Sequence, residues 1–248
     1  QGVTALHVAV QSHSEAMVEF LLHQKRMEVR DCALHAVREN QPRIVAMILD
    51  RLKETSSVLE FVGFTHSAEF PDYITPLILA AQCGHYEIIE MLLDRNHSIS
   101  RPHPPRCLCS EVCRRILKEE DGLHVATAKL EVYRAISNPA YLCQSTDDPI
   151  LMAFQLFKEL HQCATVHQEF RAAYTQLSRE CRTFAVELLA CELSPNSRRC
   201  AGAKSLGKEQ YVLSHVFPYP HMVILTTLCA GVVEMAISDL LLTTTLIM

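Results

Sequence analysis

The chain has no tryptophan, only 7 glycines in 248 residues and 6% aromatic side chains. So few glycines exclude a loop-rich or collagen-like protein, and 49% apolar residues favour a helical, well-packed one. An excess of positive charge is also missing. The net charge is -5, with no basic stripe, which excludes a dedicated nucleic-acid binder because phosphate binding needs surplus Lys and Arg. No secretory signal opens the chain and its 11 cysteines are odd in number, so a disulfide framework is set aside in favour of a reducing, cytosolic or cytosol-facing compartment. Phosphate-cradling glycine loops, a nucleophile elbow and an HExxH helix are all absent from the sequence, so no enzyme is expected. The apolar run from Met222 to Val233 is shorter than the about 20 residues that a spanning helix needs. With Glu234 and Asp239 following, the tail is read as non-spanning, and association with a membrane surface stays open.

What the sequence does have is repetition. Thr4-Ala5-Leu6-His7-Val8-Ala9 is a near copy of the ankyrin T-P-L-H-x-A signature, with Val18, Phe20, Leu21 and Leu22 at the spacing of a second helix. Aligned on the histidine, Cys32-Ala33-Leu34-His35-Ala36 leads to Ile44, Val45, Ile48 and Leu49, and Thr75-Pro76-Leu77-Ile78-Leu79-Ala80 leads to Ile88, Ile89, Leu92 and Leu93. Thr4 to Leu21, Cys32 to Leu49 and Thr75 to Leu92 each span 17 residues, while the units themselves follow at 28 and 43. An all-α fold is expected, in which helix pairs stack into a short solenoid followed by a packed bundle of linker helices. Thr75 as N-cap, Pro76 at N1 and Gly84 at the first helix stop punctuate the third unit. His7 and His35 are expected to hydrogen-bond between repeats, and Cys32 and Cys83 to be small core residues. The chain begins at Gln1 inside a repeat, which suggests that it is a fragment and that a further unit preceded it.

Behind the third unit comes His103-x3-Cys107-x-Cys109-x3-Cys113, interrupted by Pro104-Pro105. Three thiolates and an imidazole are a closed tetrahedral set for structural zinc; unmetallated or redox-active thiols are the alternative. Three helical stripes follow: Leu123, Ala126, Leu130, Tyr133, Ile136; then Ile150, Phe154, Phe157, His161, Ala164 behind Asp148-Pro149; then Phe170, Ala173, Leu177, Cys181, Phe184, Leu188, Cys191. The last is either a helix buried on its neighbours or an oligomerisation seam. The expected organisation is ankyrin repeats over residues 1–100, about three, the first incomplete and with an insertion at about 53–73. A His/Cys junction over 101–122, a linker-helix domain over 123–193 and a divergent, poorly ordered tail over 194–248 complete it.

The ankyrin units, Ser100-Arg101-Pro102-His103, Cys107-x-Cys109, Ser137-Asn138-Pro139-Ala140-Tyr141-Leu142, Asp148-Pro149 and the stretch from Phe170 to Leu189 together resemble the N-terminal cytosolic part of transient receptor potential cation channels of the C subfamily. The resemblance covers about three quarters of the chain and is nearest in texture to the vomeronasal-type branch. It implies a calcium-permeable, non-selective channel acting downstream of phospholipase C, in store-operated calcium entry. Homo- or hetero-tetrameric partner subunits are implied, together with cytosolic proteins on the ankyrin face, and the channel would lie in the plasma membrane with this region on its cytosolic side. It also implies zinc on His103, Cys107, Cys109 and Cys113, with one departure: three residues separate Cys109 from Cys113, where the family usually has two. The tail from Ser194 does not resemble the family. By itself this chain is therefore expected to be pore-less and cytosolic, a truncated assembly region. A soluble ankyrin scaffold or a non-functional truncated product is the alternative.

Overall fold

The computed structural model describes residues 3–24, 27–55, 60–61, 67, 69–104 and 122–193. Among them every regular element is helical, as the composition requires. Three antiparallel pairs come first: α1 (Ala5–Gln11) with α2 (Glu15–Leu22), α3 (Cys32–Arg38) with α4 (Pro42–Thr55), and α5 (Pro76–Cys83) with α6 (Tyr86–Asp94). Then follow α7 (Gly122–Ile136), α8 (Pro139–Ser145), α9 (Pro149–Val166), a 3-10 turn (Gln168–Phe170) and α10 (Arg171–Leu193). No described helix is long and apolar enough to cross a membrane.

All three pairs turn by the same local chemistry, and the first and third also begin by it. Thr4 and Thr75 are extended N-caps whose hydroxyls accept from His7 N–H and Ile78 N–H, satisfying donors that an uncapped helix leaves orphaned. Each first helix then stops at a left-handed residue: His13 (φ 54°), Asn40 (φ 53°) and Gly84 (φ 70°). The amide after it bonds back into the helix, Ser14 to Ala9, Gln41 to Ala36 and His85 to Ala80.

These shared landmarks correct the alignment of the second unit. Its N-cap is Asp31, not Cys32, so 27 residues separate the first two caps and 44 the second and third, in place of 28 and 43. Leu34 therefore occupies the place of His7, and His35 the place of Val8. The internal span of 17 survives, now running from Asp31 to Ile48. The surplus chain before the third unit folds back onto the helices where it is described. Phe70 is buried with its ring edge-on to His35 at 5.1 Å, Glu69 pairs with Arg38 at 2.8 Å, and buried Glu60 accepts from Arg95 at 3.0 Å.

The core of the stack is aliphatic: Leu6, Val10, Leu34, Val45, Ile48, Leu49, Leu77, Ile88, Ile89 and Leu92 are all at most 1% exposed. Each such side chain contributes about 1.5–3 kcal/mol relative to exposure. Behind it, α9 and α10 form an antiparallel hairpin whose seam differs from the expected stripes. On α9 the buried residues are Ile150, Ala153, Leu156, Leu160, Cys163 and Ala164, with Phe154 and Phe157 half-buried and His161 exposed. On α10 they are Tyr174, Ser178, Cys181, Phe184, Ala185 and Leu188, with Ala173 and Leu177 on the shoulder. The reason is steric: small Ala153, Cys163, Ser178 and Ala185 let the backbones approach, and the Ser178 hydroxyl donates to the Phe157 carbonyl at 3.1 Å. On α7, Ala126, Leu130, Tyr133 and Ile136 are buried as the stripe predicts, whereas Leu123 is 61% exposed.

Candidate functional site: the junction of repeats and linker helices

Two polar constellations link elements distant in sequence, and the first lies between units one and two. The Thr4 N–H donates to His7 Nδ1 at 3.2 Å, so the proton of the neutral imidazole sits on Nε2 and is donated to Asp31 Oδ1 at 2.8 Å. The imidazole thus completes a capping box on its own helix and crosses to the next unit. On the other side of Asp31, His35 Nδ1 accepts from the Arg38 guanidinium at 3.0 Å, leaving Nε2–H facing Oδ2 at 3.7 Å, while the Ser67 hydroxyl donates to the same oxygen. Because its carboxylate is used in this way, Asp31 caps its helix without a side-chain bond.

His7, Asp31 and His35 bring their ligand atoms within 4.8 Å of one another, which is a spacing that suits a metal. The hydrogen bonds argue otherwise: each Nδ1 is an acceptor, so each Nε2 carries the proton that a ligating nitrogen must give up. The cluster is an inter-repeat clasp. Burial would raise the Asp31 pKa, but the bonds from Ser67 and His7 outweigh it and hold the carboxyl below its ordinary value. Burial pushes His35 down, against the pull of Asp31. The neighbouring thiol of Cys32 is pushed up to about 12 by burial and then by Asp31, and Cys181 to about 11 by burial, so these are inert core thiols and not nucleophiles. Cys83, expected in the core, is exposed.

The second constellation joins the third repeat to the linker helices. Gln82, at the end of α5, donates to both the Glu131 carbonyl (3.0 Å) and its carboxylate (2.8 Å) on α7. Asn138 caps α8 by accepting from Ala140 N–H at 2.9 Å, and its amide lies 3.5 Å from where a Cβ on Gly84 would stand. The glycine of the repeat turn and the asparagine of the Asn-Pro-Ala-Tyr-Leu element are therefore one contact. Gln144 on α8 donates to the Tyr86 carbonyl at 3.2 Å, and Tyr141 and Leu142 are buried beneath. Arg101, just past the third unit, pairs with Glu159 of α9 at 2.6 Å, and the Tyr133 hydroxyl donates to the same carboxylate. Tyr133 is fully buried and its ring meets Tyr174 edge-on at 5.9 Å, tying α7, α9 and α10 together.

Of the four suggested zinc ligands, His103 is described and exposed, and its carbonyl accepts from Lys129 Nζ of α7 at 2.7 Å. Cys107, Cys109 and Cys113 lie outside the described residues, as does the whole tail from 194. Sequence reasoning missed Arg101, Gln82, Glu131, Glu159 and Asp31 as functional partners. None belongs to an apolar period, and only the Ser-Arg-Pro-His element drew attention to one of them.

The chain matches the family model of transient receptor ion channel II over residues 107–171, and the ankyrin repeat model over 1–32 and 72–103. Beyond Asp31 and Cys32, the second unit, with leucine in the histidine position, falls between the two ankyrin matches. Short transient receptor potential channel 4 of Mus musculus is 36% identical over 190 residues, covering 76% of this chain. The chain belongs to the transient receptor potential channel family. The transient-receptor-potential-like protein of Drosophila melanogaster is also 36% identical, covering 76% of this chain, and short transient receptor potential channel 2 of Rattus norvegicus is 32% identical, covering 75%. The alignments cover 19%, 17% and 17% of these relatives, so the chain spans under a fifth of the transient receptor potential proteins it matches.

Proposed function

We propose that the chain serves as the cytosolic assembly and interaction region of a calcium-permeable, non-selective cation channel of this family, one that acts downstream of phospholipase C and admits calcium when stores are depleted. In that setting it lies on the cytosolic side of the plasma membrane in a homo- or hetero-tetramer, with its ankyrin face open to cytosolic proteins. The role is binding, not catalysis. The observation that carries this reading is the junction itself: Gln82 on Glu131, Gly84 against Asn138 and Gln144 on Tyr86 weld the last repeat to the linker helices, in a chain that aligns with channels over three quarters of its length. A weld of this kind transmits force between a partner-binding stack and whatever the linker helices hold. Co-expression with full-length short transient receptor potential channel 4, followed by affinity capture, is expected to recover both chains. Recovery of this chain alone, at every expression ratio, would favour a free-standing ankyrin scaffold.

The donor set of His103, Cys107, Cys109 and Cys113 suits a structural zinc: three soft sulfurs and one imidazole leave no open position for water. Bound there, the ion would fix the path between the third repeat and α7, where Lys129 already holds the His103 carbonyl. Native mass spectrometry is expected to find one zinc per chain, absent from Cys107→Ser, with chelation lowering the Tm. A wild-type chain isolated metal-free and indifferent to chelator would remove the site.

A further inference from the structure

Where the repeat stack meets the linker helices, a cleft of about 470 Å³ opens between the end of α5, the last turns of α7, the start of α8 and one flank of α10. That is the size of an ordinary small-ligand site. Pro139, Ala173 and Leu177 give it an apolar side, and two glutamates, two glutamines and an arginine give it a polar one.

The hydrogen bonds on the polar side fix what that side can still do. A carboxylate only accepts, so Gln82, bonded to Glu131 at 2.8 Å, and Gln176, bonded to Glu180 at 2.8 Å, each turn Nε2 to the acid and keep Oε1 for another donor. Arg134, the one cation among the described lining residues, is held by Glu131 at 2.6 Å. Each Glu131 oxygen therefore has one donor, and among the described residues Glu180 has Gln176 alone, although a carboxylate offers about four acceptor sites. Ser137, 5% exposed, also lines the cleft. Its hydroxyl lies beside the Cys181 thiol, a weak partner, and makes no conventional hydrogen bond among the described residues.

The unused capacity is thus mainly acceptor, with two carboxylates against one guanidinium. An anion would meet Glu131 and Glu180 with the only lining cation already paired, and a wholly apolar molecule would cover the amide oxygens without satisfying them. We infer that the cleft is a binding site for an organic cation, a guanidinium or primary ammonium group on a short apolar stem. Its N–H groups donate to Glu180 and to the amide oxygens of Gln82 and Gln176, and its stem rests on Ala173 and Leu177. Because Gln82 belongs to the last repeat and Glu180 to a linker helix, an occupant bridges the two parts of the weld. This holds for the chain by itself and does not depend on the channel reading.

The test is a titration of the full chain with acetyl-arginine-amide, read on the side-chain amide resonances of Gln82 and Gln176. Acetyl-citrulline-amide, which has the same shape without the charge, is the control. Saturable shifts are expected with the arginine probe and none with the citrulline one. Glu180→Gln, at an exposed position outside the weld, should weaken binding by about tenfold and leave the Tm unchanged. Glu187→Gln, on the same helix but away from the cleft lining, should leave both binding and Tm unchanged. Ala173→Phe fills the cleft, keeps every charge and should abolish the shifts; if it also lowers the Tm, the two glutamate variants decide the matter. No saturable shift with the arginine probe would overturn the inference. An equal response to citrulline would do the same, as would equal weakening by Glu180→Gln and Glu187→Gln, the sign of a general surface attraction. Two further probes name the source of the cation, each supporting the site: a serine-flanked peptide with one central arginine binding more tightly than spermidine assigns a protein segment, and the reverse order assigns a free polyamine.

Discussion

The first and third repeats share a threonine cap, a left-handed stop nine residues later and a second helix in the same register, yet they end in different surroundings. The third is enclosed by the second unit on one side and by α7 and α8 on the other. Among the described residues, the helices of the first pack on those of the second. Met17 and Ile88 are the same position in the same local fold, and one is 49% exposed while the other is fully buried. Local sequence builds the helix pair; neighbours decide which of its apolar positions contribute free energy.

Truncation of the two side chains is the strongest way to break this comparison. Ile88→Ala is expected to destabilise by about 3 kcal/mol, and Met17→Ala by less than about 0.5 kcal/mol, in urea unfolding of the whole chain. Equal losses would mean that the first unit is not open. The caps give the next largest contrast. Asp31→Ala strands the buried His7 Nε2–H and should cost about 1–3 kcal/mol, against about 1 kcal/mol for Thr75→Ala, which removes a cap alone. If Asp31→Ala costs no more than Thr75→Ala, the clasp is worth no more than a single cap. The turns come third: Gly84→Ala forces a Cβ into a left-handed conformation beside Asn138 and should cost about 1 kcal/mol, while His13→Gly, at a similar φ, relieves that strain but gives up the bond between Gln41 Nε2 and His13 Nδ1 (2.7 Å) and should change stability by less than about 0.5 kcal/mol.

The gentlest test is pH. His35, facing Asp31, His7, Arg38 and Glu69; His97, facing Glu60 and Arg95; and His167, facing Lys129 and Glu169, are all held below the ordinary 6.5, in each case chiefly by burial. Below that value the unfolded chain takes up protons that the folded chain refuses. Stability is therefore full above about 6.5 and lost progressively as pH falls, and the Asp31 contribution goes only below 3.8. Melting curves should show a falling Tm between about pH 7.5 and about pH 5.5, and a flat or rising Tm would contradict the burial of these rings.

The repeats were legible because their signals are local: a threonine or proline at the start, a 17-residue span and an aliphatic stripe. The register of the second unit was not. Ala33-Leu34-His35 so closely copies Ala5-Leu6-His7 that the histidines invite alignment, whereas the backbone aligns Asp31 with Thr4 and Asn40 with His13. The seam of α9 and α10 was misplaced for a related reason. Aromatic residues mark a stripe conspicuously, but close helix packing prefers Ala153, Ser178 and Ala185, which look neutral in sequence. At the junction, Asn138 and Arg101 belonged to motifs that stood out, while Gln82, Glu131 and Glu159 are ordinary surface residue types until the fold brings them opposite a partner.

The uneven spacing of the caps has a topographic consequence. An ankyrin unit ordinarily occupies about 33 residues, the portion beyond its two helices forming the turn that projects from the stack. The step of 27 residues from Thr4 to Asp31 leaves that projection short, and the step of 44 from Asp31 to Thr75 leaves chain to spare. Where the surplus is described it is strapped down, by Arg95 on Glu60 and by Arg38 on Glu69 and Phe70. Where evenly spaced ankyrin units repeat one step, this chain follows a short step with a long one whose described part is held by Arg95 and Arg38, so the edge carries no single period.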